Sequence, residues 1–158
     1  MTSVTYKTHP VPESLLIGFV QINTTGNASF VQAVERSLQL IPSITDAGFT
    51  GYSSISQGFE GIFLLPNGTM DVFNTTFSPF QELTRLPGMT VTLGAYPATW
   101  NDYLDTFLRD PNIGTNIQDT SRLMTADVLH SKAKELTELI LESGWGAGFN
   151  FSKVIFYS

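Results

Sequence analysis

The 158-residue sequence contains no cysteine. That one absence excludes disulfides, thiolate metal sites and a cysteine nucleophile together. Basic residues are scarce and scattered, 8 Lys and Arg against 14 Asp and Glu, and the net charge is -6. Nucleic acid and anionic membrane surfaces are recognised through basic patches, so neither is expected as a partner. The two histidines, His9 and His130, are too isolated to form a zinc site, and His130 reads as a solvated or capping residue early in a helix. No apolar run reaches the roughly 18 residues of a membrane span. The first twenty residues set Pro10 and Pro12 before their apolar run and lack the charged, apolar, small order of a signal peptide. Gly-x-Gly-x-x-Gly, Walker and Gly-x-Ser-x-Gly sequences are also missing, and "GWGAGF" follows a helix instead of opening one. The residues alone supply no self-sufficient catalytic kit.

What is present is apolar and aromatic. Hydrophobic residues make up 42% and charged residues 14%, with 12 phenylalanines, which suits one folded domain spanning 1–158. "SVTYKTHP" and "SLLIGFVQI" read as strands, the second more fully buried. Asn27 or Ser29 is expected to cap a helix carrying Phe30, Val34, Leu38 and Ile41, which "PSITDAG" ends with Gly48 in a left-handed turn. "FTGYSSIS" and "FEGIFLLP" follow as strands, and Pro66-Asn67-Gly68 predicts a hairpin returning through "TMDVFN". Ser78-Pro79-Phe80-Gln81 reads as a helix start, with Pro87-Gly88 as the stop. "MTVTLGAY" alternates, with Met89, Val91, Leu93 and Ala95 toward the core and Thr90, Thr92, Gly94 and Tyr96 away from it. An amphipathic helix with Trp100, Tyr103, Leu104 and Phe107 comes next, broken at Asp110-Pro111-Asn112. A last helix from Ala126 carries Leu129, Ala133, Leu136 and Ile140, and "GFNFSKVIFYS" closes as a strand. The order implies an α+β fold, an antiparallel sheet with helices on one face. Its expected core is Phe30, Val34, Leu38, Phe80, Leu83, Trp100, Leu104, Leu136 and Ile140.

Helices on one face leave the other bare. Tyr52, Ser54 and Ser56 are expected there beside Thr90, Thr92 and Tyr96, as either a solvated face or a ligand platform. Tyr52, Ser54, Thr92 and Tyr96 are the candidate ligand-binding residues, and Arg122 in "TSRLMT" is the candidate charged contributor. A salt bridge from Arg122 to Asp119 or Asp127 is the structural alternative. Asp102 and Asp105 form either a carboxylate pair or the wet face of a helix near its N-terminus. N-glycosylation sequons stand at Asn23, Asn27, Asn67, Asn74 and Asn150, which points to a lineage that used the secretory pathway.

Four segments, "VTYKTHPVPE", "DAGFTGYSSIS", "PNGTMDVFNTTFSPFQELTRLPG" and "NIGTNIQDTSRLMTADVL", resemble the fungal FAD-linked oxidoreductases of the berberine-bridge-enzyme type. The resemblance covers nearly the whole chain and lies in the substrate-binding half of those flavoproteins. It implies that the bare face looked toward flavin and substrate. The family's Gly-Gly-His-type flavin tether is not found in this sequence, and its cysteine is absent too, so FAD is implied by the family but not expected on this chain alone. The implied function is the substrate half of a truncated oxidoreductase of secondary metabolism, with a small metabolite as ligand. Its partner is the missing flavin domain, or a second copy meeting it through the exposed face near Tyr52, Tyr96 and Phe151 or Phe156. The alternative is a stand-alone, flavin-free cyclase or isomerase, or a binding domain. On this resemblance the sequons derive from secreted relatives.

Overall fold

The computed structural model describes residues 10–55, 58–107, 124–143 and 147–151, with Ser143 and 147–151 described by backbone alone. The expected first strand "SVTYKTHP", together with Ser56, Arg122 and Phe156, lies outside the described residues. Five strands form one sheet: β1 (Leu15–Thr24), β2 (Thr50–Ile55), β3 (Gly58–Pro66), β4 (Met89–Ala98) and β5 (Ala147–Phe151), in the order β4-β1-β3-β2-β5. Every neighbouring pair is antiparallel. The helices are α1 (Asn27–Asp46), α2 (Met70–Glu82), α3 (Trp100–Phe107), α4 (Ala126–Ser131) and α5 (Ala133–Ser143). The strand-helix-strand, strand-helix-strand order is thus the split arrangement expected of an α+β fold. No helix among the described residues is long and apolar enough to cross a membrane.

Helix α1 begins after Gly26, which has no side-chain capping bond, so neither Asn27 nor Ser29 is the cap; the Ser29 hydroxyl instead donates to the Gly26 carbonyl at 2.8 Å. The helix runs through Pro42 and ends within the "PSITDAG" segment, as the sequence predicts. It ends where Gly48 takes φ 94°, the Gly48 N–H donating to the Thr45 carbonyl (3.0 Å) and the Phe49 N–H to the Ile44 carbonyl (3.2 Å). This paired-bond ending needs a left-handed residue, which glycine supplies without steric cost.

The Pro66-Asn67-Gly68 turn does not make a hairpin. Asn67 adopts φ 52°, its N–H donates to the Ser14 carbonyl (2.9 Å) and its side-chain oxygen accepts from the Ser14 N–H (3.2 Å). The chain then enters α2, with Thr69 accepting from the Val72 N–H and Asp71 in the first turn. A returning strand has no place to pair, because β3 already has β1 on one edge and β2 on the other. Helix α2 passes through Pro79, which cannot donate to the Thr75 carbonyl four residues back. The Ser78 hydroxyl donates to that carbonyl instead, at 2.9 Å. Ser78-Pro79 is therefore an accommodated interior proline, and the helix starts eight residues before Ser78.

The helix side of the sheet is packed with phenylalanine. Phe49, Phe59, Phe63, Phe73, Phe77 and Phe80 are all buried, joined by Leu16, Val20, Ile22, Val34, Leu38, Ile41 and Ile44. A Cβ at Gly18 would run into the Phe73 ring, so glycine there lets α2 approach β1 closely. Helices α4 and α5 pack on α1 and add Leu129 and Ala133. The last helix is thus two, parted at Lys132, after Ser131 turns its hydroxyl back to the Asp127 carbonyl at 2.7 Å.

Of the expected core, Val34, Leu38, Phe80 and Leu83 are buried, and Phe30, Leu136 and Ile140 pack against it partly buried. Trp100 and Leu104 do not belong. Helix α3 has no buried residue, Trp100 is 36% exposed, and its aromatics instead stack along the helix, Trp100 on Tyr103 and Tyr103 on Phe107, each 5.6 Å between ring centres. The sequence stripe is real, but helical spacing does not say which surface receives the stripe.

Candidate functional site

Register places the faces of the strands without ambiguity. Side chains alternate along each strand, so the partners of a residue share its face. One cross-strand row is Gly94, Phe19, Ile62 and Tyr52, read from β4 through β1 and β3 to β2. The next row is Thr92, Gln21, Glu60 and Ser54. Both rows point away from the phenylalanine core. Tyr52, Ser54, Thr92 and Tyr96 therefore all lie on the bare face.

They do not form one cluster. Strands β1 and β3 separate β2 from β4, so Tyr52 and Tyr96 are three strand spacings apart, about 14 Å across the sheet. The expectation that β2 and β4 are neighbours is corrected by this order. Tyr52 and Ser54 line a shallow, open depression of about 290 Å³ with Phe19, Val20, Gln21, Glu60, Gly61 and Ile62. Thr92 adjoins it only across Gln21, and Tyr96 opposes Ile17 one row beyond. Tyr52 is 49% exposed and Tyr96 42%. Leu15 and Ile17 are buried on the same face, so the accessible area centres on the Phe19, Tyr52 and Glu60 end. Asn150 opposes Tyr52 in register on β5. Arg122 lies outside the described residues.

Sequence reasoning misses four contributors: Phe19, Gln21, Glu60 and Ile62. The signal is present in the alternation. "LLIGFVQIN" reads as a buried run, yet Gln21 and Asn23 share a parity with Phe19 and contradict full burial. Phe19 lies flat over the backbone of Gly94, where any Cβ would collide with its ring. Glu60 is the single charged residue in the five strands. Its carboxylate accepts from the Gln21 amide at 3.1 Å. Asp102, by contrast, is a helix cap. Its carboxylate accepts from the Thr99 N–H (2.9 Å) and hydroxyl (2.7 Å), which holds its pKa below the usual carboxylate value. The carboxylate-pair reading of Asp102 and Asp105 gives way to this reciprocal cap.

Among the sequons, Asn23, Asn27, Asn67 and Asn74 are exposed. Asn23 stands at the end of the bare face, Asn27 and Asn74 on α1 and α2, and Asn67 in the turn held to Ser14.

An antiparallel sheet backed by helices, with its far face open, defines the class: the α+β fold found in VAO-type flavoproteins. Two solved flavoproteins of that type from Myceliophthora thermophila C1, MtVAO615 and MtVAO713, match it with TM-scores of 0.64 and 0.65. Each is 16% identical; the matches cover 83% and 85% of this chain and 26% and 27% of theirs. At that identity the likeness is one of fold. In sequence, the chain is 45% identical over 95% of its length to an uncharacterized FAD-linked oxidoreductase of Arthroderma benhamiae, of which it spans 28%. No family model matches the chain. The resemblance to FAD-linked oxidoreductases drawn from the sequence holds.

The open face does not fit the pyrophosphate of FAD. Its strands carry no Lys or Arg, and Glu60, their only charge, repels phosphate. The N-termini of α2 and α3 are closed by Thr69, Thr99 and Asp102. What the face offers is flat apolar area beside hydroxyls, an amide and a carboxylate.

Proposed function

We propose that this chain is the substrate-holding segment of an FAD-linked oxidoreductase, with the flavin bound by other parts of the whole protein. One observation carries the reading: the sheet face opposite the core is open at one end, where Phe19, Tyr52, Ile62, Ser54 and Gln21 line a depression of about 290 Å³. A merely solvated face would carry charged side chains, and this one carries Glu60 alone. The ligand is a small, largely flat organic molecule of the kind made in secondary metabolism. Phe19 and Ile62 supply apolar contact, and Tyr52, Ser54 and Gln21 orient it by hydrogen bonds. Tyr96, exposed on the same face, guides one edge of a larger ligand. When bound, FAD supplies hydride acceptance; the role of these residues is to place the substrate. The same apolar area suits contact with the flavin-binding part of the whole protein or with a second copy.

The test is an NMR screen of flat aromatic fragments against the 158-residue chain. Resonances of Phe19, Tyr52 and Ile62 should shift while those of Leu38 and Phe77 stay fixed. Hits gathered in the helix layer, or none on the bare face, would refute the reading. The chain by itself should take up no FAD on dialysis against excess cofactor, and a stoichiometric yellow complex would overturn the division of labour.

A further inference from the structure

Glu60 has no cationic partner among the described residues. The cations that are described lie off the sheet, on or beside helices, and are engaged there: Arg85 with Glu82, Lys132 with Glu135, Lys134 with Glu138, and Arg36 with the Gln39 side chain. Glu60 has a neutral amide, that of Gln21, on one oxygen. An ionised carboxylate accepts at about four lone-pair sites, so most of its capacity faces outward. It is also held in place, because β3 is paired along both edges, with β1 and with β2.

We propose that the depression selects a flat aromatic ligand bearing a protonated amine, and that Glu60 is the residue that selects the cation. The inference rests on the platform reading above and adds a ligand class to it. The ring lies across Phe19, Ile62 and Tyr52, whose row is two residues along the strands from the row of Gln21, Glu60 and Ser54. Two residues of strand span roughly 6.5–7 Å. A short two-carbon tether between ring and ammonium bridges that distance. The ammonium then donates to Glu60, with the Ser54 hydroxyl beside it. An anionic ligand would meet Glu60 with no compensating positive side chain on any strand. Gln21 acts as a positioning residue, fixing the rotamer of the carboxylate from the adjacent strand.

Three probes of one shape and different charge test this on the 158-residue chain: tyramine, 4-ethylphenol and 3-(4-hydroxyphenyl)propionate. Each is titrated by NMR at low salt, followed at Phe19, Tyr52 and Ile62. Because the site is open to water, the expected preference for tyramine over 4-ethylphenol is modest, about two- to fivefold, and the propionate binds weakest. The preference should shrink as salt screens it. Glu60→Gln should remove the difference between tyramine and 4-ethylphenol. Equal affinities for those two in the unaltered chain, or a preference that survives Glu60→Gln, would overturn the proposal and leave the platform reading standing. If no probe shifts the three residues, both fall.

Discussion

Phe77 is the residue on which the assignment of α2, and with it the closed side of the sheet, can be tested hardest. Its ring is buried and meets four other phenylalanines: Phe73 and Phe80 stacked at 4.5 and 5.9 Å, Phe49 and Phe63 edge-on at 5.1 and 4.8 Å. Replacing it with alanine removes the ring from water-free surroundings and leaves a cavity, for which about 3–5 kcal/mol is usual. Aromatic pairs add roughly 0.5–1.5 kcal/mol each beyond burial, though relaxation of the neighbours recovers part of that. The upper part of the range, about 4–5 kcal/mol, is therefore expected. A domain of this size has about 5–15 kcal/mol in total, so Phe77→Ala should remain folded only near the margin.

The assay is urea unfolding followed by circular dichroism. With a slope of roughly 2 kcal/mol per molar urea, a loss of 4 kcal/mol moves the midpoint down by about 2 M. Val72, on the exposed side of the same helix, serves as the control, and Val72→Ala should move it by less than about 0.3 M. A midpoint shift for Phe77→Ala below about 0.5 M would refute the helix over Met70–Glu82. In a hairpin reading of 61–74, Phe77 falls beyond the returning strand and has no reason to matter.

Leu38→Ala should cost about 2–5 kcal/mol by the same assay, whereas Trp100→Ala should cost less than about 1, because Trp100 is exposed and no residue of α3 is fully buried; equal losses would place α3 in the core after all. Ser37 is fully buried in α1 with a hydroxyl that has no hydrogen-bond partner among the described residues, so Ser37→Ala should raise stability by about 1 kcal/mol, and a loss would reveal a partner for that oxygen. The depressed pKa of Asp102 means that its capping contribution is complete at neutral pH and is lost as pH falls through and below the ordinary carboxylate range. Protection of the Thr99 amide from exchange should fade over that acid range, and Asp102→Asn should weaken the pH dependence; a Thr99 amide indifferent to pH would contradict the cap.

Strand positions are the most legible part of the chain. "MTVTLGAY" alternates strictly, so its inward Met89, Val91 and Leu93 and outward Thr92 and Tyr96 can be assigned from parity, and register agrees. The proline-bearing segments are the least legible. Ser78-Pro79 reads as a helix start, yet Pro79 lies inside α2 as Pro42 lies inside α1, because tertiary packing of Ile41, Ile44, Phe77 and Phe80 outweighs one missing bond. Asn67-Gly68 misleads for a related reason. It is a real turn with a left-handed residue, but a turn does not dictate the type of the next element, and Thr69 with Asp71 marks a helix start. Strand order is the third gap. Tyr52 and Tyr96 share a face by parity, but nothing local in either strand reveals that β1 and β3 lie between them.

That strand order bears on how firmly the residues of the open face are placed. Glu60 and Ile62 point outward from β3, while Phe59 and Phe63, alternating with them, are locked in the core. Phe63 packs edge-on to Phe77, and Phe59 stacks on Phe80 at 6.1 Å, so α2 grips the inward side of the strand that presents the outward residues. A central strand paired on both edges and pinned from beneath has little freedom to shift a side chain by even an ångström. The Phe19 ring is placed in the same way, from β1 between β3 and β4, and rests on Gly94 because no Cβ intervenes. The groups proposed to meet a ligand thus stand on β1, β3 and β2, each paired on both edges, and Tyr96 occupies β4, an edge of the described sheet. The dense phenylalanine packing on one side thus fixes the geometry of the outward residues on the other.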